Sequence, residues 1–455
     1  MYLFIKNLFV RLPYDGTSRS RYLSILRGGL SAVAAKGISA VALMVSVPLT
    51  LSHLGPERYG LWVTLYSIIA WFSLFDLGLS NSLLSLLSEA FGKGRNDLAR
   101  KYISVAVQGL ILIAIIAGIV CIALSFYIDW ASFLKIRNPE LAKEFFHAVL
   151  TGIVFIALGL PLTVVGKIYT AYQKGELANA WSAAGTLGGL IGLAITVFSG
   201  GNMPMLVLGF SGGQMLTNLL SVGWLFGKVM PHLKPGISPG SNGYRRVFKT
   251  STAFFFAQLS ALLIFQSPNI IISNRLGPGY VAPFQTTWLL FSYVTIPAMF
   301  FGANIWAAIG EAYAKQDIFW IRVLFFRYVK LSLLVGIPFI ITLTLFYKPI
   351  VMRWVGPAGL AEPVVVYWIA AWALSSTLMH PVVSILAGTG HLNKYALLSL
   401  PLSVTSLLLA YLFVGRFGVP GLMAAFVGCL TTQVLLSYVL FLRPIINKDV
   451  SVQLK

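Results

Sequence analysis

Residues 54–94 read LGPERYGLWVTLYSIIAWFSLFDLGLSNSLLSLLSEAFGKG, and pieces of this stretch return farther along the chain. Leu54-Gly55-Pro56 recurs as Leu276-Gly277-Pro278, and Glu89-Ala90-Phe91-Gly92-Lys93 as Glu311-Ala312-Tyr313-Ala314-Lys315, both 222 residues later. Two motifs that keep one spacing, each pair enclosing a long apolar run, mark an internal duplication. Weaker echoes agree. Phe126-Tyr127 ahead of Trp130 resembles Phe346-Tyr347 ahead of Trp354, and Gly175-Glu176-Leu177 resembles Gly390-His391-Leu392.

The composition names the solvent. Of 455 residues 58% are hydrophobic and only 10% charged, with a mean hydropathy of +0.84, whereas soluble domains carry charge at roughly a quarter of positions. Apolar stretches of about 20 residues, each enough to cross a bilayer as a helix, fall at residues 28–51, 61–88, 102–127, 147–172, 178–199, 203–227, 250–274, 281–310, 323–347, 364–387, 395–415 and 419–442. The expectation is an all-α polytopic membrane protein, with twelve transmembrane helices in two pseudo-symmetric six-helix lobes around a central cavity. Its parts would be an interfacial N-terminal segment (1–27), an N-lobe (28–230), a basic Pro/Gly/Ser-rich linker (231–247), a C-lobe (248–443) and a tail (444–455).

The net charge of +20 is spread over many loops, which argues for membrane orientation rather than nucleic-acid binding. With twelve spans, Arg58, Lys135, Arg137, Lys143, Arg275, Lys348, Arg353 and Arg416 fall on one side, and the larger share of the basic residues falls with the termini and linker. The positive-inside rule therefore places both termini in the cytoplasm. The first apolar run is full length and lacks a small-residue cleavage site, so it is expected to be retained as a helix. Cys121 and Cys429 both lie within spans, where they read as small buried hydrophobes. The segment from Asp129 to Phe146 reads as an amphipathic interfacial turn or helix.

Enzyme signatures fail. The Gly159–Lys167 stretch ends in Gly-Lys, but a phosphate-binding loop would need glycine where Pro161 stands and Ser or Thr where Ile168 stands. His53, His147, His232, His380 and His391 have no metal-ligand spacing, and no cofactor is expected. The glycine pairs Gly185/Gly189, Gly188/Gly192 and Gly209/Gly213 have the spacing that lets membrane helices pack closely.

Leu54-Gly55, Tyr59-Gly60-Leu61-Trp62, Phe75-Asp76-Leu77-Gly78-Leu79 with Asn81, and the small-aromatic-Gly-Lys loop together resemble the opening hairpin of the polysaccharide transporter family. These are the O-antigen and exopolysaccharide flippases of the multidrug/oligosaccharidyl-lipid/polysaccharide superfamily. The resemblance implies translocation of an undecaprenyl-pyrophosphate-linked oligosaccharide from the inner to the outer leaflet of a bacterial cytoplasmic membrane by alternating access. It also implies membrane lipid as surroundings and a polymerase and chain-length regulator of the same pathway as partners to look for. No nucleotide-hydrolysing motif is present, so energy would come from an ion or cargo gradient. The alternatives are a drug or organic-cation antiporter of the same superfamily, which would favour acidic cavity residues, and a membrane glycan polymerase or ligase, which would carry a large outer catalytic loop.

Two intramembrane charges stand out. A lysine at mid-bilayer costs roughly 2.5 to 3.5 kcal/mol on insertion scales, so Lys36 needs a partner or a watery cavity. Asp76 is its counterpart in the second span, and a hairpin turning near Gly55 puts both at one level, roughly 22 to 24 Å in at 1.5 Å per residue. A Lys36–Asp76 pair is therefore available, either to bind the pyrophosphate and couple an ion or merely to lock the hairpin. The repeat places Gln258 and Ala298 at the matching C-lobe positions, so only the N-lobe is charged there. Gln258, Gln266, Asn269 and Asn304, with the aromatic face of Trp288, are candidates for sugar contacts, against the plainer reading of interhelical polar contacts and interface-belt aromatics. Arg327 and Lys330 share one helical face and are candidates for an inner-leaflet phosphate, or simply snorkel. Pro268, flanked by two amides and a serine, is the candidate hinge.

Overall fold

The computed structural model describes residues 16–236, 259, 262–263, 265–297, 309, 312–313 and 316–447. The described residues are helical, with no strand among them. Among the described residues, eight helices are long and apolar enough to cross a membrane. Two of these are bent, and the bends carry the architecture: the Gly16–Trp71 helix leaves helical geometry at Gly55 (φ 74°), and Leu392–Leu436 does so at Gly418 (φ 63°). Each of these spans is thus two arms joined at a residue whose positive φ suits glycine. The seventh and eighth spans expected from the sequence are represented by Ser267–Arg275 and Val281–Ser292.

The duplication is visible in the turns. Gly277 (φ 111°) repeats the left-handed position of Gly55, and Gln316 (φ 59°) repeats that of Gly94 (φ 65°). At the latter pair even the hydrogen bonds correspond. Gly94 N donates to Phe91 O and Arg95 N to Ala90 O, while Gln316 N donates to Tyr313 O and Asp317 N to Ala312 O. These are reciprocal pairs of the kind that close a helix C-terminus by satisfying its last carbonyls. Gln173 and Gly390 close two further helices in the same way.

Within the N-lobe, Gly175–Phe198 and Met203–Trp224 pack backbone to backbone. A Cβ at Gly192 would overlap the Gly209 carbonyl, and one at Gly213 would overlap that of Gly188, so the glycine spacings serve helix packing. Asn202 caps the second helix, its Oδ1 accepting from Met205 N at 3.2 Å. The Glu144 carboxylate accepts from Met203 N at 2.8 Å and pairs with Arg58 at 3.2 Å, tying three elements at that end. The loop after Tyr127 contains a short helix, Trp130–Phe133, capped by Asp129, whose side chain accepts from Ala131 N and Ser132 N. Both cysteines are free thiols. The start of the linker is strapped to the N-lobe: Arg100 Nε donates to Lys234 O and Gln108 Nε2 to Gly236 O.

Among the described residues the apolar cores form four clusters, two toward each end. At the Gly55/Gly277 end, the cluster holding Leu61, Trp130 and Phe145 in the N-lobe takes in Ala282 from the C-lobe. Val63, Trp354 and Val355 pack against both this cluster and the C-lobe cluster around Phe291 and Trp372. The two clusters at the other end, around Leu83 and Tyr169 and around Ile321 and Phe325, share no residue among those described. Among the described residues the apolar cores of the two lobes meet at the Gly55/Gly277 end.

Candidate functional site

The second span does not run straight past Asp76. It tightens to a 3-10 turn over Phe72–Asp76, then passes through two left-handed residues, Leu77 (φ 49°) and Gly78 (φ 75°), before a new helix starts at Leu79. Asp76 sits at this break and is buried. Its Oδ1 accepts from the backbone N of Ser80 at 3.1 Å and from Ser80 Oγ at 3.0 Å, satisfying one of the donors that a helix start leaves open. Ser80 Oγ also lies 2.8 Å from Thr163 Oγ1. Thr163 belongs to the 3-10 turn Leu160–Thr163, around Pro161, that interrupts the fourth span. One small polar network thus joins two broken helices.

This corrects the pairing of Lys36 with Asp76. Among the described residues Lys36 makes no ion pair with Asp76, whose carboxylate is engaged by Ser80. The physical reason is the break itself. An unbroken hairpin would bring the two side chains to one level, but the turn at Asp76 directs the carboxylate along its own chain toward Ser80.

Lys36 is exposed and belongs to a different surface. Ala40 and Met44 follow it at four-residue intervals, hence on one helical face. Both of their carbonyls receive hydrogen bonds from the C-lobe: Tyr293 Oη donates to Ala40 O at 3.2 Å and Trp354 Nε1 to Met44 O at 2.7 Å. The same stripe therefore faces the C-lobe along its length, sealed at Met44 and Ala40 and open at Lys36. The opposite face of this arm packs on the N-lobe, with Ser39 Oγ 3.3 Å from Thr186 Oγ1 and Asn179 Nδ2 donating to Ser31 Oγ at 3.0 Å.

The rest of the lobe-to-lobe bonding lies toward the Gly55/Gly277 end. Lys135 Nζ donates to Arg275 O at 2.6 Å, and Asn274 Nδ2 donates to Phe133 O at 2.7 Å. A Cβ on Gly60 would overlap the carbonyl oxygen of Pro278, so two backbones meet there. Deeper in, Asn269 Nδ2 donates to Ser67 Oγ at 3.0 Å and to Gln285 Oε1 at 3.1 Å. Each of these hydrogen bonds between the lobes lies on the Gly55/Gly277 side of Lys36.

The other candidates divide accordingly. Asn269 is buried and its amide donor is spent between the lobes, so it acts in the seal rather than as a sugar contact. Trp288 is 9% exposed, and its ring lies 3.8 Å from that of Trp372 at 31°. Its face is covered within the C-lobe core, which removes it from the sugar contacts. Gln266 is half-buried at a turn that interrupts the seventh span, and the helix restarts at Ser267 with Pro268 in its first turn, where a missing N–H costs little. Gln258 and Asn304 lie outside the described residues. Arg327 and Lys330 are exposed on one face of Ile318–Leu345 and make no ion pair among the described residues. Tyr293 and Trp354 belong to this interface, although the sequence offered Trp354 only as part of a repeat echo and Tyr293 not at all. The one available signal was polar or amphipathic side chains recurring inside otherwise apolar spans.

Residues 25–287 match the family model described as polysaccharide biosynthesis protein. The chain belongs to this family. It is 25% identical over 323 residues to a Salmonella typhimurium protein named for O-antigen transport, covering 68% of this chain and 70% of that one. To a Yersinia pseudotuberculosis protein named for O-antigen export it is 22% identical over 289 residues, covering 63% and 65%. In fold it is similar to an inward-facing multidrug-resistance transporter of the MATE family in the MOP superfamily, with a TM-score of 0.78, 14% identity, and 92% of this chain and 99% of that chain covered. An outward-facing structure of a MATE-family transporter gives 0.66 at 14% identity, covering 93% and 96%. A MOP-superfamily transporter from Pyrococcus furiosus gives 0.68 at 15% identity, with the same coverage. The fold is that of a MOP-superfamily transporter.

Proposed function

We propose that this chain is a flippase that carries an undecaprenyl-pyrophosphate-linked oligosaccharide from the inner to the outer leaflet of a bacterial cytoplasmic membrane, by alternating access of its two lobes. The observation that carries the reading is the position of Lys36: an exposed intramembrane cation, on the stripe that faces the other lobe, one turn beyond the last bond that seals the lobes. An unpaired lysine at that depth is costly in hydrocarbon and suits a cleft that receives an anion. Family membership and the names of the O-antigen relatives support the glycan cargo.

In this reading the Gly55/Gly277 end is the outer end, the linker and both termini are cytoplasmic, and the described state opens inward. The diphosphate enters at Lys36 while the polyprenyl tail stays in the bilayer between the lobes. Arg327 and Lys330, exposed nearer the inner surface, would gather the anionic headgroup on its way in.

Lys36→Ala tests this. Surface glycan should fall and the lipid-linked precursor should accumulate on the cytoplasmic leaflet, with the protein inserted at normal abundance. Lys36→Arg should retain part of the export, since charge is kept and geometry is not. Normal export by Lys36→Ala would sink the reading.

A further inference from the structure

The roof of the inward cleft carries a second basic group, from the other lobe. Tyr293, whose hydroxyl reaches Ala40, lies in a 3-10 turn, Tyr293–Thr295. The neighbouring Val294 packs beside Gly336 and Thr377, and Thr377 is on the Pro363–Gly388 helix. That helix runs away from the outer end, so His380, three residues on, lies one turn farther in on the same side. The first arm runs the opposite way, and Lys36 lies one turn inward of Ala40. The Tyr293–Ala40 bond is thus followed, on each side, by a basic residue. The two are close enough for the charge of Lys36 to be felt at His380. His380 is half-buried, and neither residue pairs with a carboxylate among those described.

We propose that Lys36 and His380 form one anion site shared between the lobes, which takes the diphosphate of a polyprenyl diphosphate. This rests on the flippase reading and adds a C-lobe residue to it. The chemistry fits. A diphosphate offers several acceptor oxygens along its length, the ammonium supplies a mobile set of donors, and the imidazole supplies an N–H from a ring fixed by its helix. A group that bridges two lobes gains its full contacts only where both approach, so it binds the drawn-together arrangement better than the splayed one and shifts the population toward it. Cargo binding would then itself favour closure of the inner side, because one ligand holds both walls.

The test uses the full-length protein in nanodiscs with farnesyl pyrophosphate as the probe and farnesol as the uncharged control. Wild type should bind farnesyl pyrophosphate more tightly than farnesol, and Lys36→Gln or His380→Gln should each weaken it about tenfold, the scale of one charge-assisted hydrogen bond. The double variant should lose less than the sum of the singles, as expected of groups sharing one ligand. His380→Lys should keep most of the binding, which a purely structural role for the ring would not allow. Wild-type affinity in His380→Gln, or loss in His380→Lys equal to that in His380→Gln at unchanged melting temperature, would overturn the shared site. Surface glycan measured in the same variants separates the two ideas. If Lys36→Gln loses export while His380→Gln binds and exports normally, the flippase reading stands and the shared site falls; if Lys36→Gln also exports normally, both fall.

Discussion

The two ends of the interface between the lobes are built from different materials. At the Gly55/Gly277 end the lobes meet backbone to backbone at Gly60 and Pro278, share apolar side chains, and spend side-chain donors on each other's carbonyls. One turn inside the Tyr293–Ala40 bond the material changes to exposed or half-buried basic groups, Lys36 and His380. A seal of neutral bonds and small residues can part and re-form without exposing charge to hydrocarbon, whereas a cation left at mid-membrane is stable only where water or an anion reaches it. In the proposed orientation, the Gly55/Gly277 end governs whether the lobes part and the Lys36 end governs what enters.

The strongest way to break this contrast is at the seal. Gly60→Val puts branched carbon atoms where the Pro278 carbonyl lies, with no flexible side chain to yield. Overpacking of this kind costs about 3 kcal/mol, so yield and melting temperature should drop clearly. A variant that melts like wild type would show that the two backbones do not meet there.

Asp76 sharpens the contrast from the other direction, because it is a charge of the N-lobe interior rather than of the cleft. Asp76→Ala removes the acceptor for Ser80 N and should cost about 1 to 2 kcal/mol, seen as lower abundance. Asp76→Asn, which keeps an oxygen, should cost less. Adding Lys36→Ala should not recover the loss, since the two side chains do not touch each other and their effects should add within about 0.5 kcal/mol. Recovery of abundance in the double variant would restore the ion pair that the hairpin's depth matching suggests.

The smallest effect is expected at Trp354. Trp354→Phe keeps the ring and loses only the bond to Met44 O, about 1 kcal/mol. The loss should appear as easier opening of the outer end, measured as thiol reactivity of Met44→Cys from outside, with little change in abundance. Unchanged reactivity would remove Trp354 from the seal.

Much of this architecture was legible in the sequence because it rests on repeated turns. Gly55 and Gly277, which the repeat aligns, both adopt positive φ, and the GxxxG pairs pack as their spacing implies. The break at Asp76 was harder to see, since an apolar run reads the same whether it is one helix or two. Yet the local chemistry was present: an aspartate, a glycine two residues on and a serine four on form a helix-restart signal once a break is entertained. Trp288 was misread for a related reason. In Val281–Ser292 the polar Gln285, Thr286, Thr287 and Ser292 are distributed among apolar residues with no clean stripe, so periodicity could not say which face meets Trp372 and which meets a cleft. His380 carried no spacing with any other histidine, and only its position one turn inside the seal gives it meaning.

The central claim is that Lys36 stands in a cleft open to the cytoplasm and closed to the outside. Lys36→Cys in a Cys121→Ser, Cys429→Ser background places one thiol at that point, with Ala35→Cys, buried against the N-lobe, as its control. A charged, membrane-impermeant methanethiosulfonate should label Lys36→Cys in inside-out vesicles and leave it unlabelled in right-side-out vesicles, with Ala35→Cys inert in both. Labelling of Lys36→Cys from the outside alone, or no more labelling than Ala35→Cys from either side, would contradict it.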